Sequence, residues 1–282
     1  MSAAFQVVTP EWLEARRYYL GGTDMAAIVG YGFKTALDVY RQKVQGEFEP
    51  PTLAMRRGTA LEPLCRELYE EETGNKVEPS PTVYHPDHLW LACNPDGLVG
   101  DDGMTEFKTY DYATSAEWEA GIPPRGYKVQ VQHGLWITGR EWCDFGAFNV
   151  SASKFKVIRE YADKDVQALL FEYARRFRDN HWIPMVPPPP VGKDWEYIRS
   201  LYPTDTGEQI LGDDEDDALA MRWRELVIAK KPIDAEIKEI KTHFAARMKD
   251  ASLLTTMAGN ITYRANKSGK RTMRNDFEGE EE

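Results

Sequence analysis

The sequence predicts an α/β domain with a mixed central sheet flanked by helices, followed by a helical arm and a hairpin. Three observations carry this. Amphipathic helix patterns alternate with short strand-like runs through residues 20–182, the order expected of helices packed on a sheet. A proline run, Pro187–Pro190, and an acidic run over 205–217 then interrupt the chain. Beyond Ala218 the pattern changes to a helical stripe and two strand-like runs around Gly259-Asn260.

The elements follow in order. Residues 23–29 (TDMAAIV) read as a short helix capped by Thr23 or Asp24, and residues 35–45 as a second. Residues 59–73 form an amphipathic helix with Thr59 as cap, Glu62 three residues on and Gly74 at its end. Leu61, Leu64, Leu68 and Tyr69 make its apolar stripe. Strands are expected at 76–84, 89–93, 98–99 and 104–109, with turns at 94–97 and 100–103. A helix over 127–138, strands at 142–150 and 155–159 and a long helix over 163–182 complete the domain. Four prolines without N–H donors cannot continue a helix or a central strand, so the first domain is placed at 1–190. A linker is placed at 191–217 and an extension with an acidic tail at 218–282. Within the extension, Pro232 is expected to split the helical block, and Ile233, Ile237, Ile240, Phe244 and Met248 form a stripe.

Composition narrows the function. Apolar residues are 42% and charged residues 29%, enough to build a core without disulfide or metal staples. Cys65, Cys93 and Cys143 are too few and too scattered for a disulfide framework or zinc pattern and read as buried reduced thiols. No basic run followed by an apolar run opens the chain, and no stretch approaches a membrane span. A cytoplasmic protein without membrane attachment is expected. The net charge of −11 argues at first against a phosphate-binding partner. That charge is uneven: −7 over 1–204, −7 over 205–217, +8 over 218–275 and −5 over 276–282.

The feature that points to chemistry is Pro95-Asp96 followed by Glu106-Phe107-Lys108. Side chains alternate along a strand, so Glu106 and Lys108 share one face and Phe107 enters the opposite, apolar layer. A hairpin-like return can bring Asp96 beside Glu106. Paired carboxylates repel unless a cation sits between them, and hard oxygen ligands suit Mg2+ or Mn2+. A lysine at their side can orient water and neutralise developing charge, the arrangement for metal-assisted phosphodiester hydrolysis. Taken alone the pattern is loose. By itself, a simple turn at 94–97 with Glu106 and Lys108 on a solvated strand face accounts for it better.

Five ordered segments add specificity: LGGTDMAAIVG (20–30), RRGTALEPLCRELYEEETG (56–74), HPDHLWLACNPDGLVG (85–100), TEFKTYD (105–111) and YKVQVQHGLWITG (127–139). In these the chain resembles the lambda-exonuclease-like, or YqaJ-like, viral recombinase nucleases of the PD-(D/E)xK superfamily, over roughly residues 12–180. The resemblance implies a restriction-endonuclease-like core. It implies that Asp96, Glu106 and the Phe107 backbone carbonyl hold metal, that Glu62 completes the site, and that Lys108 positions the attacking water. Glu62 also fits as a capping-box residue. Gln130 and Tyr127 match positions on the helix beside the metal, while Gln132 fits an ordinary polar helix face. Trp12, Arg16 and Thr23 repeat a family spacing whose arginine and serine hold a 5′ phosphate; here threonine replaces the serine.

The activity so implied is Mg2+-dependent (Mn2+ also serving) 5′→3′ digestion of one strand from double-stranded DNA ends, leaving 3′ overhangs for strand annealing. Family members form ring-shaped trimers, a single-strand annealing protein is the expected partner, and phage origin is implied. The C-terminal block is a candidate docking or oligomer-contact element. A PD-(D/E)xK endonuclease and a non-catalytic DNA- or protein-binding module are the alternatives. His85, His88 and His133 lack partners at zinc-ligand spacing and read as packing residues. Trp90, Trp118 and Trp136 fit core positions as well as base-stacking ones. With 12 of the 46 acids in two short runs, DNA contact is expected to rest on metal, enclosure and local Arg/Lys groups.

Overall fold

In the computed structural model, which describes residues 10–111 and 115–275, the expected alternation of helices and strands is present. Two compact units divide it, Met1–Pro203 and Thr204–Glu282. The first contains, in order, α1 (Pro10–Ala15), α2 (Gly22–Ile28), α3 (Ala36–Tyr40), α4 (Leu53–Thr73), β1 (Val83–Tyr84), β2 (Ala92–Cys93), β3 (Gly97–Val99) and β4 (Gly103–Tyr110). Then come α5 (Ser115–Glu119), α6 (Arg125–Thr138), β5 (Trp142–Asn149), β6 (Lys154–Tyr161), α7 (Lys164–Phe177) and α8 (Trp195–Leu201).

The central sheet has the order β3-β4-β5-β6 and is mixed. β4 pairs antiparallel with β3 and parallel with β5, and β5 pairs antiparallel with β6. The parallel step needs a crossover, which α6 supplies. Strand alternation sorts the two faces. Met104 and Phe145 pack with Val131 and Leu135 of α6, while Phe107 packs with Cys65 and Tyr69 of α4. A third cluster joins Leu20 and Met25 to Leu37, Ile137, Leu170 and Phe177, holding α2, α3, α6 and α7 together. The chain before α2 is located by backbone bonds: Leu20 N–H donates to Trp90 O at 2.8 Å, and Ala92 N–H to Leu20 O at 3.1 Å.

Several boundaries differ from the sequence reading. The fourth helix begins two turns early, at Leu53, with Thr52 as its cap, whose side chain accepts the Met55 N–H. Thr59 is therefore inside the helix, donating to Met55 O at 3.2 Å, and Glu62 is no capping-box residue. The inward side chains of α4 are Cys65 and Tyr69, whereas Leu64 is exposed. The strand expected over 76–84 is reduced to Val83–Tyr84 and a bridge between Glu78 and Leu98, because Pro79 and Pro81 cannot donate to a ladder.

The expected linker over 191–217 is helical at both ends. A single turn at Gly192–Asp194 leads into α8. This segment packs on α3: Thr35 Oγ1 donates to Asp194 Oδ1 at 2.6 Å, and the Arg41 guanidinium lies 3.8 Å from the Tyr197 ring centre. The proline run thus crosses the first unit's surface and does not end it.

In the second unit, α9 (Asp214–Met248) is one 35-residue helix that continues through Pro232. Proline forfeits one bond, to the Ile228 carbonyl, on an exposed stretch where water can serve that oxygen. Strands β7 (Leu253–Thr256), β8 (Gly259–Ala265) and β9 (Arg271–Asn275) form an antiparallel sheet, one strand more than expected. Arg271 closes this unit by donating to the carbonyls of Lys249, Ala251 and Tyr263. The acidic tail at 276–282 lies outside the described residues.

Candidate active site

Glu106 is the hub of the site. It sits near the middle of β4, is 4% exposed, and points towards α6. Its Oε1 accepts Lys108 Nζ at 2.5 Å and Gln130 Nε2 at 2.5 Å. Lys108, two residues on along the same strand face, also lies 4.8 Å from the centre of the Tyr127 ring on α6. Burial works against the Lys108 ammonium, but the Glu106 and Asp96 charges prevail and hold its pKa above the ordinary lysine value.

Asp96 stands at the turn into β3. Its Oδ2 accepts the Phe107 N–H at 2.6 Å, so the second carboxylate is fixed beside the strand that carries the first. Removal from water, and next the Glu106 charge, push its carboxyl well above the usual range. The Phe107 N–H points to the Asp96 side of β4, and the carbonyl of a strand residue points the same way as its N–H. Continuing the β3–β4 register, Phe107 falls opposite Pro95, which has no N–H to offer that carbonyl. Two mutually repelling carboxylates and this carbonyl form a hard-oxygen donor set that fits a divalent cation.

Glu62, on α4, stands at the margin. Burial raises its carboxyl; Arg66, 3.7 Å away, opposes the shift and Glu106 adds to it. Arg66 also donates to the Asp96 backbone oxygen at 3.0 Å, tying α4 to the turn. Among the described residues, no three His, Cys, Asp or Glu side chains are already gathered as a cation cage. Glu62, Asp96 and Glu106 are neighbours, each held by a protein donor, and a bound cation would exchange some of those bonds. Arg66 escaped the sequence reading although its i+4 spacing from Glu62 marks it.

Arg16 and Thr23 come together behind this cluster. Arg16 NH2 donates to Thr23 Oγ1 at 3.2 Å and lies 3.5 Å from Asp24 Oδ1. Asp24 is 3% exposed; its Oδ2 accepts the Gly21 N–H at 2.9 Å and pairs with Lys43 Nζ at 2.7 Å. Burial alone would raise the Asp24 carboxyl, but Lys43, then Arg16 and the Gly21 N–H, bring it down to about 2. Lys43 also donates to Arg16 O at 2.7 Å, so it fixes both the backbone and the anion that orient the guanidinium. Asp24 was legible only as a possible cap, and Lys43, 19 residues away, carries no local signal. Gly22 connects the two groups: a Cβ there would lie 2.7 Å from Gln130 Cγ and 3.0 Å from Gln130 O. The helix bearing Thr23 thus touches the residue that bonds Glu106. The Trp12 side chain lies outside the described residues.

The family model described as the YqaJ-like viral recombinase domain matches residues 11–141. Over those residues the chain resembles that domain. It is 26% identical over 253 residues to the uncharacterized protein YqaJ of Bacillus subtilis (strain 168), covering 86% of this chain and 78% of that one. The alkaline exonuclease LHK-Exo from Laribacter hongkongensis superposes with a TM-score of 0.56 at 27% identity, covering 68% of this chain and 97% of its own. LHK-Exo in complex with dAMP gives a TM-score of 0.57 at the same identity and coverage. The mixed sheet with its flanking helices is therefore the lambda-exonuclease-like nuclease fold.

Other polar and aromatic residues of the first unit serve packing. Gln132 is buried, donates to Tyr161 O at 2.7 Å and accepts the Asp163 N–H at 2.9 Å, which fastens the end of β6 to α6. His133 Nε2 meets Ala92 O at 3.0 Å, and burial lowers its pKa to about 4. His85 and His88 stack with Trp136 and Phe171. Trp118 is 1% exposed in the core beneath Tyr110 and Phe145. All three cysteines are free and buried. Among the described residues no helix is long and apolar enough to cross a membrane.

Proposed function

We propose that this protein is a divalent-metal-dependent DNA exonuclease that degrades one strand 5′→3′ from double-stranded ends. The observation that carries the proposal is the convergence on Glu106. Lys108 and Gln130 meet on one carboxylate oxygen, Asp96 is held alongside, and Gly22 lets the helix that carries Thr23, the partner of Arg16, approach Gln130 closely. Asp96, Glu106 and the Phe107 carbonyl would hold Mg2+ or Mn2+, with Glu62 at the edge. Bound there, the cation would neutralise phosphate charge and polarise the scissile phosphodiester.

The chain's own groups do the rest. Lys108 keeps its proton and offers a fixed positive charge to the attacking water and the developing phosphorane. Gln130 holds the Glu106 carboxylate in orientation through its amide. Arg16, aimed by Asp24, and the Thr23 hydroxyl would receive a terminal 5′ phosphate, since a guanidinium with an adjacent hydroxyl suits a dianion. A phosphate bound there at a chain end selects ends over internal positions, which favours exonuclease over endonuclease action. The dAMP complex of LHK-Exo supports a nucleoside monophosphate as the product class. Generation of 3′ overhangs for strand annealing, a phage or prophage context, an annealing-protein partner and assembly around DNA accord with the viral recombinase family.

The test is digestion of blunt linear duplex in Mg2+ by wild type and Lys108→Ala, with a covalently closed circle as control and each strand end labelled separately. Loss of the 5′-labelled end by wild type alone, with the circle intact, is expected. Equal digestion by both proteins, or cutting of the circle, would overturn the proposal.

A further inference from the structure

Helix α9 carries a heptad seam, interrupted once, that is exposed along most of its length. Leu219, Trp223, Leu226, Ile233, Ile237 and Ile240 are each 44–72% exposed. Their spacing of 4, 3, 7, 4 and 3 is the alternating d and a positions of a coiled coil. Lys230 occupies the one polar position, at the middle of the seam, where a polar a residue sets register. Pro232 falls on the outer side. A seam this long and this exposed is not the surface of a helix meant for water.

The charges identify what covers it. The helix begins with five acids, residues 213–217. Its other end, with the sheet, forms a groove of about 490 Å3 lined by Asp234, Ile237, Lys238, Lys241, Tyr263 and Arg271 among others, three cations to one acid. One end of the seam is thus acidic and apolar, and the other is basic and apolar. A helix cannot fold back on itself to join them. We propose that a second copy of this chain binds here, its α9 antiparallel, so that each copy's acidic helix start lies in the other's basic groove.

Antiparallel overlap that sets residues 213–217 beside the partner's residues 239–243 places Leu219 against the partner's Ile237 and Trp223 against the partner's Ile233. Lys230 then faces the partner's Leu226, beside the partner's Glu225. Parallel pairing would set five acids against five acids and is disfavoured. This pairing is independent of the nuclease chemistry.

Carbodiimide cross-linking of the full chain, followed by peptide mass spectrometry, tests it. On one helix, Asp214 and Lys241 are 27 residues and so about 40 Å apart, beyond a zero-length bond. Amide links between acids 213–217 and Lys241 or Lys249 are expected, and they require two copies. Leu226→Glu with Ile233→Glu should abolish them while far-ultraviolet circular dichroism retains the helix. In a second arm, Asp214→Lys/Asp216→Lys/Asp217→Lys and Lys238→Glu/Lys241→Glu/Lys249→Glu should each pair poorly alone and pair when mixed. Links from these acids only to lysines of residues 10–203, an undiminished yield in the seam variant, or no recovery on mixing would each refute the pairing.

Discussion

Replacing Asp24 by asparagine tests whether the buried Asp24–Lys43 pair is what builds the proposed phosphate site. The amide keeps the shape and can still accept the Gly21 N–H, but it removes the charge facing Lys43 and Arg16. Two magnitudes follow. The Asp24 carboxyl is lowered from 3.8 to about 2, worth about 2 kcal/mol of folded-state preference for the ionised form. Lys43, whose side chain has no exposure, is left as an uncompensated buried ammonium, and breaking such a pair costs about 3–5 kcal/mol. Urea unfolding followed by tryptophan fluorescence reports on this unit, because seven of the eight tryptophans lie in residues 1–203. A loss of about 3–5 kcal/mol is expected, with Asp24→Asn/Lys43→Met recovering much of it, since a neutral pair avoids the desolvation. The pH dependence has a definite sign. The carboxyl is depressed on folding, so its contribution is present above about pH 4 and is lost as pH falls towards about 2; the variant lacks that dependence. A loss below about 1 kcal/mol, or a double variant no more stable than the single, would refute the reasoning.

Other outcomes follow from the same geometry. Gly22→Ala forces a Cβ to 2.7 Å from Gln130 Cγ; a destabilisation of about 1–3 kcal/mol and a fall in kcat should be measurable by thermal melts and end-digestion rates. Arg16→Ala should reduce the rate advantage of 5′-phosphorylated over 5′-hydroxyl ends by about tenfold, the worth of a charge-assisted bond, as read by parallel time courses on both substrates. In chelator, Asp96→Asn should melt higher than wild type, because burial, and next the Glu106 charge, disfavour the Asp96 carboxylate in the folded state. The same variant should be inactive and lose the rise in melting temperature that Mg2+ gives wild type.

Local pattern located most of the elements. The Asn94-Pro95-Asp96-Gly97 turn, the alternation through Glu106, Phe107 and Lys108, and the helix bearing Gln130 are short-range features, and each is where periodicity places it. Helix starts were harder. Thr59 offered a convincing cap, yet the helix begins at Leu53, because Thr52 caps it by accepting the Met55 N–H and nothing between the two threonines breaks the helix. Pro232 signalled a break that an otherwise strong helix absorbed.

The linear chain by itself determined the strand face that presents Glu106 and Lys108, the candidate residues on it, and the change of pattern after the acidic run. Periodicity and turn chemistry act over a few residues and are visible in one dimension. Tertiary structure alone decided that Gln130 and Lys108 share one oxygen of Glu106, that Phe107 fixes Asp96, and that Lys43 holds Asp24 under Arg16. It also separated the aromatic and histidine residues that pack from the charged ones that converge. Apart from Lys108, two residues from Glu106 on the same strand, these pairings join residues 11 to 24 positions apart. Only the burial that brings β4, α2 and α6 together makes such distant charges pay their desolvation by meeting one another.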